Sequence, residues 1–200
     1  MAKVKICGLF RRCDIEAVNT IKPDYIGFVF AESRRKVTPG QAAELRAALH
    51  PDIVPVGVFV DEPPRNILYF ADSRTIDVIQ LHGSENEEYI RQLKRLTDKP
   101  VIKAVSVQRG GDAQKWSDTA ADFLLLDHKG GGTGKRFDWD LIGEISKPYF
   151  LAGGLNLENV IDAIMKTTPF AVDVSSGVES NGVKDPAKIK EFIRRIRTER

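Results

Sequence analysis

The sequence predicts a single-domain α/β protein over residues 1–200, a (β/α)8 barrel (TIM barrel) with short loops. Short apolar runs alternate eight times with stretches of helical periodicity, at intervals of about 20 to 30 residues, which suits one strand, one helix and two loops per unit. The runs begin near Val4, Asp24, Ile53, Ile76, Val101, Phe123, Tyr149 and Phe170. Several are almost continuously apolar, as at 26–30 and 123–126, which is typical of parallel strands buried on both faces.

Capping residues locate four of the helices between these strands. The predicted starts are Thr38-Pro39 with Gln41, Ser84 with Glu87, Asn156, and Asp185-Pro186. The fifth helix, around 113–119, is short and poorly patterned. A doubly wound open sheet is the alternative fold, but no G-x-G-x-x-G opens a helix after a strand, so a dinucleotide site is not indicated.

Composition excludes several classes of function. The chain has 30 basic and 28 acidic residues and a net charge of +2, so no overall charge favours nucleic acid or a membrane surface. No apolar segment has the length of a signal peptide or a membrane span, and we expect a cytoplasmic protein with reduced cysteines. The three histidines are scattered, which predicts no metal site, and no cofactor is expected.

Two strand ends carry reactive side chains. The first strand ends at Cys7, followed by Gly8, and the sixth ends at Asp127 after four apolar residues. Active sites of (β/α)8 barrels lie at the carboxyl ends of the strands. A carboxyl group that ends an apolar strand is partly desolvated, which favours its protonated form near neutral pH. The two residues are therefore candidates for a base and an acid acting on one small substrate, although Cys7 as a buried hydrophobe and Asp127 as a loop cap are the plainer interpretations.

Small residues follow the seventh and eighth strands. They are Gly153 and Gly154 in one turn and Ser175, Ser176 and Gly177 in the other. The loops after these two strands frequently bind phosphate in barrels, because small residues let backbone N–H groups approach an anion closely. The pattern predicts a phosphate site, with ordinary turns as the alternative.

Two loops have less specific signals. Arg34, Arg35 and Lys36 follow the second strand, where one of them suits a substrate carboxylate and solvated loop charge is the alternative. The glycine-rich stretch 129–135 follows Asp127 and is read either as a lid over the substrate or as a plain connector.

Taken together, these motifs resemble the phosphoribosylanthranilate isomerase family of tryptophan biosynthesis. The resemblance runs in chain order from residue 3 to about 180. It rests on Lys5-Ile6-Cys7-Gly8, Gly27-Phe28-Val29-Phe30 with Ser33 and Arg35, Gln80-Leu81-His82-Gly83, Leu126-Asp127, Gly132-Thr133-Gly134 with Phe137-Asp138-Trp139, Ala152-Gly153-Gly154-Leu155-Asn156, and Asp173-Val174-Ser175-Ser176-Gly177-Val178-Glu179.

The resemblance implies an aldose–ketose isomerase that works without metal or organic cofactor. Its substrate would be a phosphorylated aminosugar, N-(5-phosphoribosyl)anthranilate, and its product 1-(2-carboxyphenylamino)-1-deoxyribulose 5-phosphate. Asp127 would be the general acid, Cys7 the general base, and Arg35 the partner of the anthranilate carboxylate. The turns at 153–154 and 175–177 would hold the phosphate, and His82 would lie near the site. A monomer or homodimer is expected.

Three other functions stay open at this point. A barrel isomerase for histidine precursors would normally show two aspartates and an internal repeat, whereas the first strand here ends in Cys7. A metal-dependent epimerase would need a set of His and Asp ligands at the strand ends, where only His82 is suitably placed. A non-catalytic phosphate-ligand barrel would keep the anion turns and make Cys7 and Asp127 incidental.

Overall fold

The computed structural model describes residues 1–128 and 138–198 and contains a closed barrel of eight parallel strands in chain order. This architecture confirms the predicted fold class. The strands are β1 (Lys3–Cys7), β2 (Tyr25–Val29), β3 (Val54–Phe59), β4 (Val78–Leu81), β5 (Val101–Ser106), β6 (Phe123–Asp127), β7 (Tyr149–Leu151) and β8 (Ala171–Val174). Each begins within two residues of its expected start, because β-branched and aromatic runs favour extended, buried backbone.

The barrel closes where β1 pairs with β8. Lys5 stands in register with Asp173, and Ile6 with Val174. An open doubly wound sheet is therefore wrong, since all eight strands of the barrel have a neighbour on both sides and none is an edge strand. The closure places the end of β1, with Cys7, beside the turn that follows β8.

Six α-helices surround the described part of the barrel, and none of them is long and apolar enough to cross a membrane. They are α1 (Arg12–Ile21), α2 (Pro39–Ala47), α3 (Pro64–Asp72), α4 (Glu87–Lys94), α5 (Val160–Thr167) and α6 (Pro186–Thr198). The helix expected around 113–119 is wrong, because only a 3-10 turn at Gln114–Trp116 forms there. This stretch buries Ala113 but no full apolar stripe, and short helices depend on such a stripe for stability.

Two of the predicted helix caps are confirmed. The Thr38 hydroxyl accepts a hydrogen bond from the Gln41 N–H at 3.2 Å, and the Gln41 side chain accepts one from the Thr38 N–H at 2.9 Å. Asp185 accepts a hydrogen bond from the Ala187 N–H at 2.9 Å, ahead of α6.

The other two caps differ from the prediction. Asn86, not Ser84, caps α4 by accepting a hydrogen bond from the Tyr89 N–H at 2.9 Å. Ser84 instead donates to Asp61 in the loop after β3, so a contact between loops overrides the local capping pattern. Asn156 accepts from the N–H of Asn159 at 3.1 Å and caps the turn before α5 rather than α5 itself.

Aromatic rings fill the amino-terminal end of the barrel interior. Phe150 is 1% exposed and contacts Tyr25, Phe123 and Phe170 edge to face, with centroid distances of 5.4 to 5.7 Å. Tyr25 and Phe123 are the first residues of their strands, and Phe170 directly precedes β8. Because this end is filled, space for a ligand is left at the carboxyl end.

We expect Phe150→Ala to lower the free energy of unfolding by about 3–5 kcal/mol, because it leaves a cavity among three rings. Urea denaturation followed by circular dichroism measures this loss. Met165→Ala on α5 is the control, since Met165 is 76% exposed and its truncation should change stability by less than about 0.5 kcal/mol. Equal effects of the two substitutions would contradict the assignment of Phe150 to the core.

Candidate active site

A cavity of about 470 Å³ opens at the carboxyl ends of the strands. This volume lies in the usual range for a small-molecule site. Most of the residues predicted for the site line it, namely Cys7, Arg35, His82, Asp127, Gly153, Gly154, Ser175 and Ser176. The structure therefore brings these side chains and turns together, and only Gly177 of the predicted set lies outside the lining.

Cys7 is the last residue of β1 and is buried, whereas Cys13 is exposed on α1. A Cβ atom at Gly27, on the neighbouring strand, would lie 2.7 Å from the Cys7 Sγ. Glycine at this position of β2 therefore makes the room that the thiol occupies. The Cys7 carbonyl accepts a hydrogen bond from the Ser175 hydroxyl at 2.9 Å, which ties the base candidate to the turn after β8.

Burial raises the pKa of the Cys7 thiol above its ordinary value. The charges of Lys5 and Lys184 oppose this rise, and the carboxylate of Asp173 adds to it. Lys5 is fully buried and pairs with Asp173 at 3.0 Å. In the ligand-free protein the thiol is thus the dominant form at neutral pH, and the thiolate is a minor one.

Asp127 ends β6 and faces the same cavity. Burial raises the pKa of its carboxyl group to about 6, although Oδ1 accepts a hydrogen bond from the His128 N–H at 2.7 Å, which acts in the opposite direction. A carboxyl group with this pKa holds its proton over a range in which an ordinary aspartic acid is ionised.

His82 lies beside Asp127, with its Nε2 atom 3.6 Å from Oδ2. Burial lowers the pKa of His82, so its imidazole is neutral at neutral pH. The Nδ1 atom of His82 is 2.9 Å from the Nε2 of Gln80, whose side-chain oxygen is buried and has no partner among the described residues. When the Gln80 amide donates to Nδ1, the imidazole proton is on Nε2 and points toward the carboxyl group.

Arg35 reaches the cavity from the loop after β2 and is 9% exposed. Its side chain crosses over Gly8, where a Cβ atom would lie 2.4 Å from the Arg35 Cδ. The Nε and Nη2 atoms donate to Glu179 at 2.7 and 3.0 Å. The third nitrogen, Nη1, makes no hydrogen bond within the described part of the chain. The guanidinium group is therefore held on one edge and open on another.

A small hairpin that the sequence analysis missed supplies the partner of Arg35. Strands β9 (Glu179–Ser180) and β10 (Val183–Lys184) pair antiparallel, and Asn181 and Gly182 form the turn with φ angles of 52° and 81°. Asn-Gly between two short strands is a strong sequence signal for such a hairpin. Lys184, which is 3% exposed, donates to Glu179 at 2.6 Å and to the Ser175 carbonyl at 2.9 Å.

The two turns predicted to bind phosphate lie against each other. Gly153 and Gly154 adopt φ angles of 81° and 69°, which favour glycine. The N–H groups of Gly153, Gly154 and Ser176 have no acceptor within residues 1–128 and 138–198. A Cβ atom at Gly177 would lie 2.0 Å from the Leu155 carbonyl oxygen, so this glycine lets the turns touch rather than facing the cavity.

Some of the sequence-based expectations cannot be placed. The proposed lid, 129–135, lies outside the described residues. Within the described ranges, no group of three or more His, Cys, Asp or Glu side chains could hold a metal ion.

Comparison with known proteins identifies a family for this chain. A family model of N-(5'phosphoribosyl)anthranilate (PRA) isomerase matches residues 4–195. The N-(5'-phosphoribosyl)anthranilate isomerase of Endomicrobium trichonymphae is 48% identical over 202 residues, covering 99% of this chain and 100% of its own. The structure of phosphoribosyl anthranilate isomerase from Thermotoga maritima superposes with a TM-score of 0.90 at 38% identity, over the full length of both chains.

A further solved phosphoribosyl anthranilate isomerase contains reduced 1-(o-carboxyphenylamino)-1-deoxyribulose 5-phosphate. It superposes with a TM-score of 0.85 at 37% identity, again over the full length of both chains. The family model, the relatives and the barrel with its cavity agree, and the chain belongs to the N-(5'-phosphoribosyl)anthranilate isomerase family.

Proposed function

We propose that this protein converts N-(5'-phosphoribosyl)anthranilate into 1-(2-carboxyphenylamino)-1-deoxyribulose 5-phosphate, with Asp127 as general acid and Cys7 as general base. The isomerase activity and its place in tryptophan biosynthesis follow from family membership. One observation supports the residue roles most strongly: a buried thiol and a buried carboxyl group, from β1 and β6, face one cavity that also includes the glycine turn after β7. The product analogue bound by a relative has the carboxylate and phosphate that this cavity is equipped to hold.

Ring opening is the first step of the proposed mechanism. Asp127 donates its proton to the ribose ring oxygen, the bond from this oxygen to C1 breaks, and the anthranilate nitrogen supplies the electron pair that forms the Schiff base. The raised pKa of Asp127, about 6, keeps the acid form accessible near neutral pH. The neutral His82 beside it adds no positive charge that would favour the carboxylate.

Proton abstraction is the second step. The thiolate of Cys7 removes the proton from C2, and the electrons of that bond neutralise the iminium and give an enolamine. The enolamine tautomerises to the ketone, so substrate and product are isomers and no external oxidant or reductant is consumed. The expectation that no cofactor is needed agrees with this balance of electrons.

Binding of the two anionic ends of the substrate orients it between acid and base. The N–H groups of Gly153, Gly154 and Ser176 are proposed to hold the phosphate, and Nη1 of Arg35 the carboxylate. Glu179 holds the other edge of the guanidinium group, so the side chain is positioned before the substrate arrives. The cytoplasmic location and the monomeric or homodimeric state stay predictions of this proposal.

Substitution of either reactive group tests the mechanism. We expect Cys7→Ser and Asp127→Asn each to lower kcat by at least ~10²-fold, because each removes a positioned proton donor or acceptor. The assay follows the fluorescence decay of freshly generated substrate, coupled to indole-glycerol-phosphate synthase. Cys13→Ser is the matched control and should keep wild-type activity, since Cys13 is exposed. Ligand binding without turnover by the wild type would favour the non-catalytic barrel instead.

The pH dependence of kcat/KM follows from the two raised pKa values. Reaction needs protonated Asp127 and ionised Cys7. The fraction of enzyme in this protonation state is constant between the two pKa values. We expect kcat/KM to rise with pH up to about 6, the pKa of Asp127, to stay level through neutral pH, and to fall only above the ordinary thiol pKa. The His82→Asn variant should keep the acidic limb near 6, and a limb near the ordinary aspartate pKa would refute the assignment.

The role of Arg35 is tested by Arg35→Lys. Lysine keeps the charge but loses the planar fork that can bind Glu179 and the carboxylate together. We expect KM to rise by about tenfold or more with a smaller change in kcat, as for loss of a charged hydrogen bond in binding. Arg34→Lys is the control, because Arg34 also contacts Glu179 but its side chain is 57% exposed. A kcat loss in Arg35→Lys with unchanged KM would contradict the binding role.

A further inference from the structure

A buried ion pair stands directly beneath the base candidate. Lys5 is two residues before Cys7 on β1, so both side chains point to the same face of the strand. The Lys5 Nζ atom is 3.0 Å from Asp173 Oδ1, and the two side chains are 0% and 9% exposed. Lys5 is thus a charged residue inside a barrel whose neighbouring interior positions, such as Val56 and Leu125, are apolar.

Stability alone does not account for such a pair. Taking an ammonium and a carboxylate out of water costs several kcal/mol per ion, and apolar replacements of similar volume are often as stable or more stable. Interiors of (β/α)8 barrels are filled mostly by branched apolar side chains. An ion pair in the barrel interior therefore indicates a functional role toward a neighbouring group. The reactive group beside this pair is the Cys7 thiol.

We propose that Lys5, held by Asp173, is a positioning residue for Cys7, whose buried ammonium stabilises the thiolate that acts as the base. The proposal rests on the proposed function for the role of Cys7 as base. Lys5 acts through Cys7 and transfers no proton to the substrate. The pair with Asp173 fixes the ammonium on the side of β1 that faces the cavity, at a place where water does not screen its charge.

The charges around Cys7 agree with this role. Burial would lower the pKa of Lys5, but the charges of Asp173 and Cys7 raise it overall, so Lys5 stays an ammonium at neutral pH. Burial raises the pKa of Cys7, and Lys5 is the strongest opposing influence, through its charge and through hydrogen bonding of the two side chains. Asp173 raises and Lys184 lowers the thiol pKa to a smaller extent. Lys184 is already engaged by Glu179 and Ser175, whereas Lys5 donates to Asp173 at 3.0 Å.

The experiment measures ionisation of the thiol and not turnover. In a Cys13→Ser background, the rate of alkylation of Cys7 by iodoacetamide is followed from pH 6 to 10, because only the thiolate reacts. We expect Lys5→Met, which keeps the length of the side chain and removes its charge, to raise the thiol pKa by about one unit or more. At pH 8 this slows alkylation by about tenfold.

Lys103→Met is the matched control. Lys103 is also on a barrel strand and forms a buried ion pair, with Glu85 at 2.7 Å and exposures of 3% and 1%. Lys103 is not among the charged groups that shift the Cys7 pKa. Its removal should therefore leave the pH dependence of alkylation unchanged. An equal shift in both variants, or no shift in Lys5→Met, would overturn the proposal.

A second variant keeps the test decisive if Lys5→Met does not fold. Lys5→Gln removes the charge but keeps an N–H donor for Asp173, and it too should raise the thiol pKa, by about one unit or more. An unchanged or lower thiol pKa in this variant would refute the proposal. The effect of Lys5 on the Cys7 thiol can be distinguished from the proposed function. If Cys7→Ser keeps full activity while Lys5→Met shifts alkylation, Lys5 changes the pKa of the thiol but the thiol is not the base.

Discussion

Pairing of β1 with β8 is the contact on which the site depends. It joins residues about 170 positions apart, and its register sets Lys5 opposite Asp173. The hydrogen bond from the Ser175 hydroxyl to the Cys7 carbonyl, across 168 residues, forms at the same seam. A shift of one residue in this register would turn the inward side chains of β1 toward the helices, so the Cys7 thiol would leave the cavity and Lys5 would leave the barrel interior.

The interior is divided along the barrel axis into an apolar half and a polar half. Phe150 and its aromatic neighbours fill the amino-terminal end, while Cys7, Asp127 and His82 occupy the end that opens to ligand. Desolvation raises the pKa values of both Cys7 and Asp127. For Asp127, the proposed acid, this shift favours the protonated form that the mechanism needs, whereas for Cys7, the proposed base, it opposes the thiolate form. The environment of Cys7 therefore needs a nearby cation in a way that Asp127 does not.

The hairpin β9–β10 lies outside the barrel and yet connects its subsites. Through Lys184 it contacts Ser175, whose hydroxyl binds the end of β1, and through Glu179 it holds Arg35 from the loop after β2. The base candidate, the turn after β8 and the arginine thus share one hydrogen-bonded network. Because every member of this network is buried or half-buried, loss of one member would leave buried polar groups of its partners unpaired, which is costly.

By itself the sequence determined the eight strands, the residues that end them and the small-residue turns. These features are local: a run of apolar residues, a cysteine before a glycine, an aspartate after four apolar residues. The tertiary structure alone decided that Lys5 meets Asp173, that Glu179 takes one edge of Arg35, and that Asp61 draws Ser84 away from its predicted cap. The physical reason is that such partners are distant in the chain and meet only through barrel closure and strand register, which no local pattern encodes. The Asn181-Gly182 turn is an exception, because Asn-Gly between two short strands is a local sequence signal for a hairpin.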